Sequence, residues 1–118
     1  GKEAPVEPEL ERLLAEGLLS DARFAETFVR MHRNKGHGPL RILRDLAQRG
    51  VASELAEAAV DARSRDWHAL ARAWKERRYG METPVSAAEW QRVARQLQQR
   101  GFSPDQVRFA LSGRDRER

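Results

Sequence analysis

GHGPLRILRDLAQRGV, from Gly36 to Val51, decides the fold. Ile42, Leu43, Leu46 and Ala47 recur at the three- and four-residue spacing of one helical face, and Arg41, Arg44 and Arg49 fall off that row. Gly38-Pro39 marks the start, since proline's fixed φ and missing N–H suit the first helical position, and Gly50 marks the stop. The spacing predicts a short helix with an apolar row inward and its arginines outward. The same signature returns 51 residues later, where Leu97, Arg100, Gly101 and Phe102 echo Leu46, Arg49, Gly50 and Val51. Val93 and Ala94 likewise echo Ile42 and Leu43. Repetition at a fixed offset predicts stacked supersecondary units, each burying its face against the next.

Working outward, each unit reads as three helices in the same order. Ser20-Asp21 offers an N-cap for a helix carrying Phe24, Ala25, Phe28 and Val29, with Met31 near the same face, which ends at Asn34-Lys35-Gly36. After the helix opened by Gly38-Pro39, Ser53 is read as the cap of a third, with Leu55, Ala58, Ala59 and Ala62 inward. The second trio begins at Asp66, passes through Trp67, Leu70, Ala71 and Trp74, and stops at Gly80. Met81 to Val85 reads as a loop. Ser86-Ala-Ala-Glu89 and Ser103-Pro-Asp-Gln106 are capping boxes opening the last two helices, the first carrying Trp90, Val93, Ala94 and Leu97, the second Val107, Ala110 and Leu111. Before the first trio, Pro8 is read as the first residue of a short helix with Leu10, Leu13 and Leu14, stopping near Gly17.

Composition narrows the class. The 118 residues are 40% hydrophobic, 34% charged and only 7% aromatic, which predicts a thin aliphatic core under a charged surface. There is no cysteine, so disulfides, thiolate zinc sites and a cysteine nucleophile are excluded. No run approaches the ~20 apolar residues a spanning helix needs. A cytoplasmic location is the expectation. The net charge of +4 is unevenly spread: residues 1–26 hold seven acids and three bases, residues 30–49 six bases and one acid. Residues 72–100 are basic again, seven against three. Such blocks predict a basic strip facing a polyanion or an acidic protein.

The stretches Gly17-Leu-Leu-Ser-Asp-Ala-Arg-Phe-Ala25, Phe28-Val29-Arg30, Lys35-Gly-His-Gly-Pro-Leu-Arg-Ile42 and Leu97…Arg100-Gly-Phe-Ser103 resemble the RecX family of regulatory proteins. The resemblance implies an all-α fold of tandem three-helix repeats, in an elongated, right-to-left stacked helical array. It divides the chain into 1–19, the last helix of a partial first repeat; 20–65, a second repeat; 66–112, a third; and 113–118, a charged tail. The chain also starts without Met and is read as N-terminally incomplete. Family members bind the RecA recombinase and lodge in the groove of its filament on DNA, restraining filament growth, ATP hydrolysis, strand exchange and co-protease action. The resemblance implies a monomeric, non-catalytic partner of RecA and of the RecA–DNA filament, with room for weak direct contact with single- or double-stranded DNA. It implies no enzyme activity, cofactor or membrane.

The resemblance supplies no functional residues, so candidates come from charge and position. They are Arg30, Arg33, Lys35, His37, Arg41, Arg44, Arg77, Arg78, Arg92 and Arg95. Arginine's planar fork engages carboxylates or phosphates through two bonds at once. Against this stands an ordinary solvated surface, with some arginines lying on apolar neighbours or pairing with Asp45, Glu76 or Glu89. His37, between two glycines, is expected in an exposed turn where it would donate to a partner. Nothing brings His32, His37 and His68 to metal-ligand spacing. Trp67 and Trp74 are read as core, and Trp90 as the more open ring. No phosphate-cradling glycine loop or Ser/His/Asp arrangement is present. The alternative function is a stand-alone helical DNA-binding module, with Leu40 to Arg49 as its reading helix.

Overall fold

The computed structural model describes residues 6–17 and 20–113. The first five residues, Leu18 and Leu19 of the RecX-like motif, and the expected tail beyond Gly113 lie outside the described residues. Among the described residues there are seven helices and no strand: α1 (Val6–Ala15), α2 (Asp21–Asn34), α3 (Pro39–Gln48), α4 (Ser53–Val60), α5 (Asp66–Tyr79), α6 (Ala87–Gln99) and α7 (Pro104–Leu111). The body is elongated, measuring 52 × 29 × 18 Å.

Within the first trio, α2 turns Phe24, Ala25, Phe28 and Val29 inward against Ile42 and Leu46 of α3, Val51, and Ala56 and Val60 of α4. In the second, Trp67 and Ala71 meet Val93, Ala94 and Leu97, Phe102, and Val107, Ala110 and Leu111. Each large apolar side chain buried this way contributes roughly 1.5–3 kcal/mol before entropy is set against it. The caps act as expected at Ser20, whose hydroxyl accepts from Arg23 N, and at Ser103, where both halves of the box are made. At Ser86 the hydroxyl accepts from Glu89 N, but the Glu89 carboxylate accepts from Val85 N, 2.9 Å away, and so fastens the loop.

The structure corrects several expectations. Helix α1 starts at Val6, which puts Pro8 within the first turn, where an N–H has no intrahelical acceptor to lose. Ser53 is the first helical residue and not the cap; Ala52 occupies that position without a side-chain bond. The buried row of α4 is Ala56 and Val60, while Leu55, Ala59 and Ala62 are half-buried and Ala58 is exposed. A helix so rich in alanine has no sharp apolar face, and Asp61, at φ 51°, ends it before Ala62. In α3, Ala47 faces solvent, because the helix packs through Pro39, Ile42 and Leu46, with Leu43 half-buried. Trp90, by contrast, is 36% exposed, in agreement with its reading as the more open ring.

Two joints connect the trios. The indole N–H of Trp67 donates to the carbonyls of Val60 and Asp61, at 3.0 Å each, closing the C-terminal end of α4. At the second, the α2–α3 turn sits on the α6–α7 turn: Gly38 N donates to Arg100 O at 2.7 Å, and Leu40 N to Gly101 O at 2.9 Å. The approach is so close that a Cβ on Gly38 would collide with the backbone of Gly101 and Phe102.

Within the second trio, His68 Nε2 and Asp105 Oδ2 lie 3.1 Å apart and tie α5 to α7. The His68 hydrogen bond holds the Asp105 carboxyl below its usual value of 3.8, with Arg108 assisting and desolvation opposing. A depressed carboxylate pKa stabilises the fold above the unfolded value, and that stabilisation is lost as pH falls through the folded one. Asp105→Asn is therefore expected to lower stability at neutral pH and to flatten the acid limb below about pH 3.8. Urea titrations across that range give the profile; an unchanged acid limb would contradict the assignment.

Candidate interaction surface

The cations of the two basic blocks separate into structural and outward-facing groups. Arg49 Nε donates to Glu11 at 2.7 Å, and its guanidinium lies 4.9 Å from the Phe28 ring centroid, bracing α1 and α2. Arg100, its counterpart in the repeat, lies 5.4 Å from the Trp74 ring and donates to the carbonyls of Lys35 and Gly36, at 2.5 and 3.2 Å. Arg72, only 4% exposed, stacks 4.0 Å from the Phe109 ring and donates to Phe109 O and Ser112 Oγ at the end of α7. Lys75, 3% exposed, donates to Gly80 O and Glu82 O at 2.8 and 2.7 Å. Burial pushes the Lys75 ammonium below its usual range; Glu76 opposes that and Arg72 adds to it. Arg72, Lys75 and Arg100 are thus three of the seven bases in residues 72–100, and all are engaged at helix ends.

Of the candidates, Lys35, Arg77 and Arg78 come together. With Asn34 and Trp74 they line an open notch of about 300 Å³, where the C-terminal ends of α2 and α5 meet. Arg30 and Arg33 share a second hollow, of about 270 Å³, with Glu26, Val29 and Ala59. The Arg33 guanidinium lies 5.6 Å from the Trp67 ring. Arg44 is exposed beside an apolar groove between α3 and α4, lined by Leu43, Val51 and Ala56. Arg92 and Arg95 stand exposed on α6. Arg41 is half-buried: its Nε is 3.8 Å from Asp45 Oδ2, and its Cβ is the atom a side chain on Gly101 would strike.

His37 is the clear correction. It is 6% exposed, and its Nδ1 lies 2.8 Å from Nδ1 of His32, which itself stacks 4.0 Å from the Phe28 ring. One of these nitrogens donates and the other accepts, so His37 fastens its turn to α2 and does not face a partner. Its turn is buried because Gly36 and Gly38 bring the backbone down onto Trp74 and the Gly101 carbonyl. Replacing His37 with alanine is expected to cost about 1–3 kcal/mol, the usual penalty for breaking a buried polar pair. Denaturant unfolding measures it, and a neutral effect would contradict a structural role.

Spacing could have flagged some of the engaged cations. Lys75 lies on the i, i+4 row of Trp67 and Ala71, and Arg100 is the repeat partner of Arg49. Helix α3, the alternative reading helix, offers Leu40, Arg44, Ala47 and Gln48 outward. That is one guanidinium and one amide on an otherwise apolar face, a sparse set for base-edge recognition. Among the described residues no three His, Cys, Asp or Glu side chains are grouped to hold a metal, and no helix is long and apolar enough to cross a membrane.

Comparison with known proteins adds a family to this geometry. Residues 20–60 match the family model for the second three-helix domain of RecX, and residues 66–111 match that for its third. A regulatory protein RecX of Halorhodospira halophila is 46% identical over 112 residues, covering 95% of this chain and 70% of its own length. One from Pseudomonas putida is 39% identical over 110 residues, covering 93% and 70%. One from Stenotrophomonas maltophilia is 39% identical over 99 residues, covering 84% and 61%.

Proposed function

The chain belongs to the RecX family of regulatory proteins, not to a family of enzymes, and on that premise we propose that it binds the RecA recombinase and its filament on DNA. Bound there, it restrains filament extension, ATP hydrolysis, strand exchange and co-protease activity. Residues 20–65 and 66–112 act as two repeats of one body in the cytoplasm, working as a monomer. The observation that carries this reading is shape joined to charge: a body 52 Å long, with Arg30, Arg33, Arg44, Arg77, Arg78, Arg92 and Arg95 exposed along it.

A long, narrow rod fits a helical groove along its length and so bridges successive subunits, which opposes their sliding and turnover. Arginines left in solvent steer the approach to a polyanionic nucleoprotein and then pair with carboxylates or phosphates. No catalytic group of the chain is needed, since the ATPase that slows is the partner's. Arg30→Glu with Arg44→Glu reverses two exposed charges without touching the joints between repeats. The expected result is at least a roughly tenfold loss in co-sedimentation with RecA–DNA filaments, at unchanged helicity, by the scale of paired interfacial charges. Undiminished co-sedimentation would remove these two arginines from the interaction.

A further inference from the structure

We propose that the notch between the repeats, lined by Asn34, Lys35, Trp74, Arg77 and Arg78, is a binding site for the phosphodiester backbone of single-stranded DNA. The site exists only when the repeats are docked, since Asn34 and Lys35 come from the end of α2 and the other three from the last turns of α5. Two helix C-termini meet here, and their free carbonyls would ordinarily make the place negative. Arg100 offsets part of that at α2 by donating to the Lys35 and Gly36 carbonyls, and Lys75 offsets part of it at α5 by donating to that of Gly80. The opening is lined by the exposed guanidiniums of Arg77 and Arg78, with the half-buried Lys35, the Asn34 amide and the Trp74 indole beside them, and no carboxylate lines it.

The aromatic component selects the ligand. The Arg78 guanidinium lies 5.8 Å from the Trp74 ring and 5.9 Å from the Tyr79 ring, a cation–aromatic stack at the rim. Unstacked bases lie against such surfaces while their phosphates meet the neighbouring cations, which is how single strands are held without sequence preference. A duplex hides its base faces, and an acidic peptide needs the guanidinium but not the ring. A notch of about 300 Å³ is at the small end of ligand sites, matching one or two nucleotides and not a groove-spanning helix. The inference rests on the regulatory reading only in placing this strand within the RecA filament; binding to a free strand is a separate property.

Fluorescence anisotropy of labelled oligo(dT) with the full 118-residue chain tests it, over a salt series. Arg77→Ala with Arg78→Ala is expected to weaken binding at least tenfold at low salt and to make the salt slope shallower by about 1.4, given roughly 0.7 for each phosphate no longer neutralised. Arg23→Ala with Arg63→Ala removes the same charge from positions outside the notch and is expected to stay within about threefold of the parent. Equal losses from both pairs would mean diffuse charge alone and overturn the proposal, as would a parent chain that binds no oligonucleotide. If the parent ignores oligo(dT) yet slows RecA, and R77A/R78A loses that inhibition, the notch faces an acidic protein surface: this proposal falls and the regulatory reading stands. If oligo(dT) binds through the notch but RecA is unaffected, the notch stands and the regulatory reading falls.

Discussion

Gly101→Ala is expected to destabilise the chain by about 3–5 kcal/mol, and Gly50→Ala by only about 1–2 kcal/mol. The two glycines occupy the same place in the repeat and both adopt left-handed backbone, with φ of 103° and 84°. A Cβ in that region costs about 1–2 kcal/mol wherever it stands. At Gly50 nothing lies within 4 Å of the added atom. At Gly101 the atom would collide with Arg41 Cβ and stand 2.8 Å from Arg41 N, so the α3 backbone itself must move. That movement strains the bonds from Gly38 and Leu40, each worth about 1 kcal/mol. Thermal melts by circular dichroism should show a midpoint lowered by roughly 10 °C or more for Gly101→Ala and clearly less for Gly50→Ala. Equal losses would mean that the crossing of the two turns contributes nothing.

Trp67→Ala should cost about 3–5 kcal/mol, the range for emptying an aromatic site in a packed core. The ring is 1% exposed and lies at the start of α5, so its removal opens the place where the two trios share their core. The indole N–H also closes the end of α4, and Trp67→Phe, which keeps an aromatic ring but not the donor, should cost about 1–2 kcal/mol. In an array whose units are coupled through neighbours, a weakened junction lowers cooperativity as well as stability. Urea unfolding of Trp67→Ala is therefore expected to show a lower midpoint and a shallower transition. A steep transition at an unchanged midpoint would contradict a junction role.

Much of this architecture was legible in the residues. Glycine and proline marked helix ends because their backbone preferences are local, and the rows of α2, α6 and α7 followed from spacing, as did that of α3 except at Ala47, which faces solvent. The face of α4 was not legible, because alanine is too small to distinguish inward from outward. The surface was read only in part. Charge counting treats every arginine alike, yet Arg49, Arg72, Lys75 and Arg100 are engaged by hydrogen bonds that span 38, 37, five and 65 residues of sequence respectively. His37 was misplaced for the same reason: the backbone bond between Gly38 and Arg100 that buries its turn has no local signature.

The central claim is that two docked three-helix repeats act as a cationic rod on the RecA filament. Its most direct test is steady-state ATP hydrolysis by RecA on single-stranded DNA, followed as this chain is added up to RecA's own concentration. Hydrolysis should fall progressively, and Gly101→Ala, which forces the crossing of the two turns apart at Arg41 while keeping every charge, is expected to inhibit less. Hydrolysis that is unchanged at saturating chain, or inhibited equally by both proteins, would contradict the account.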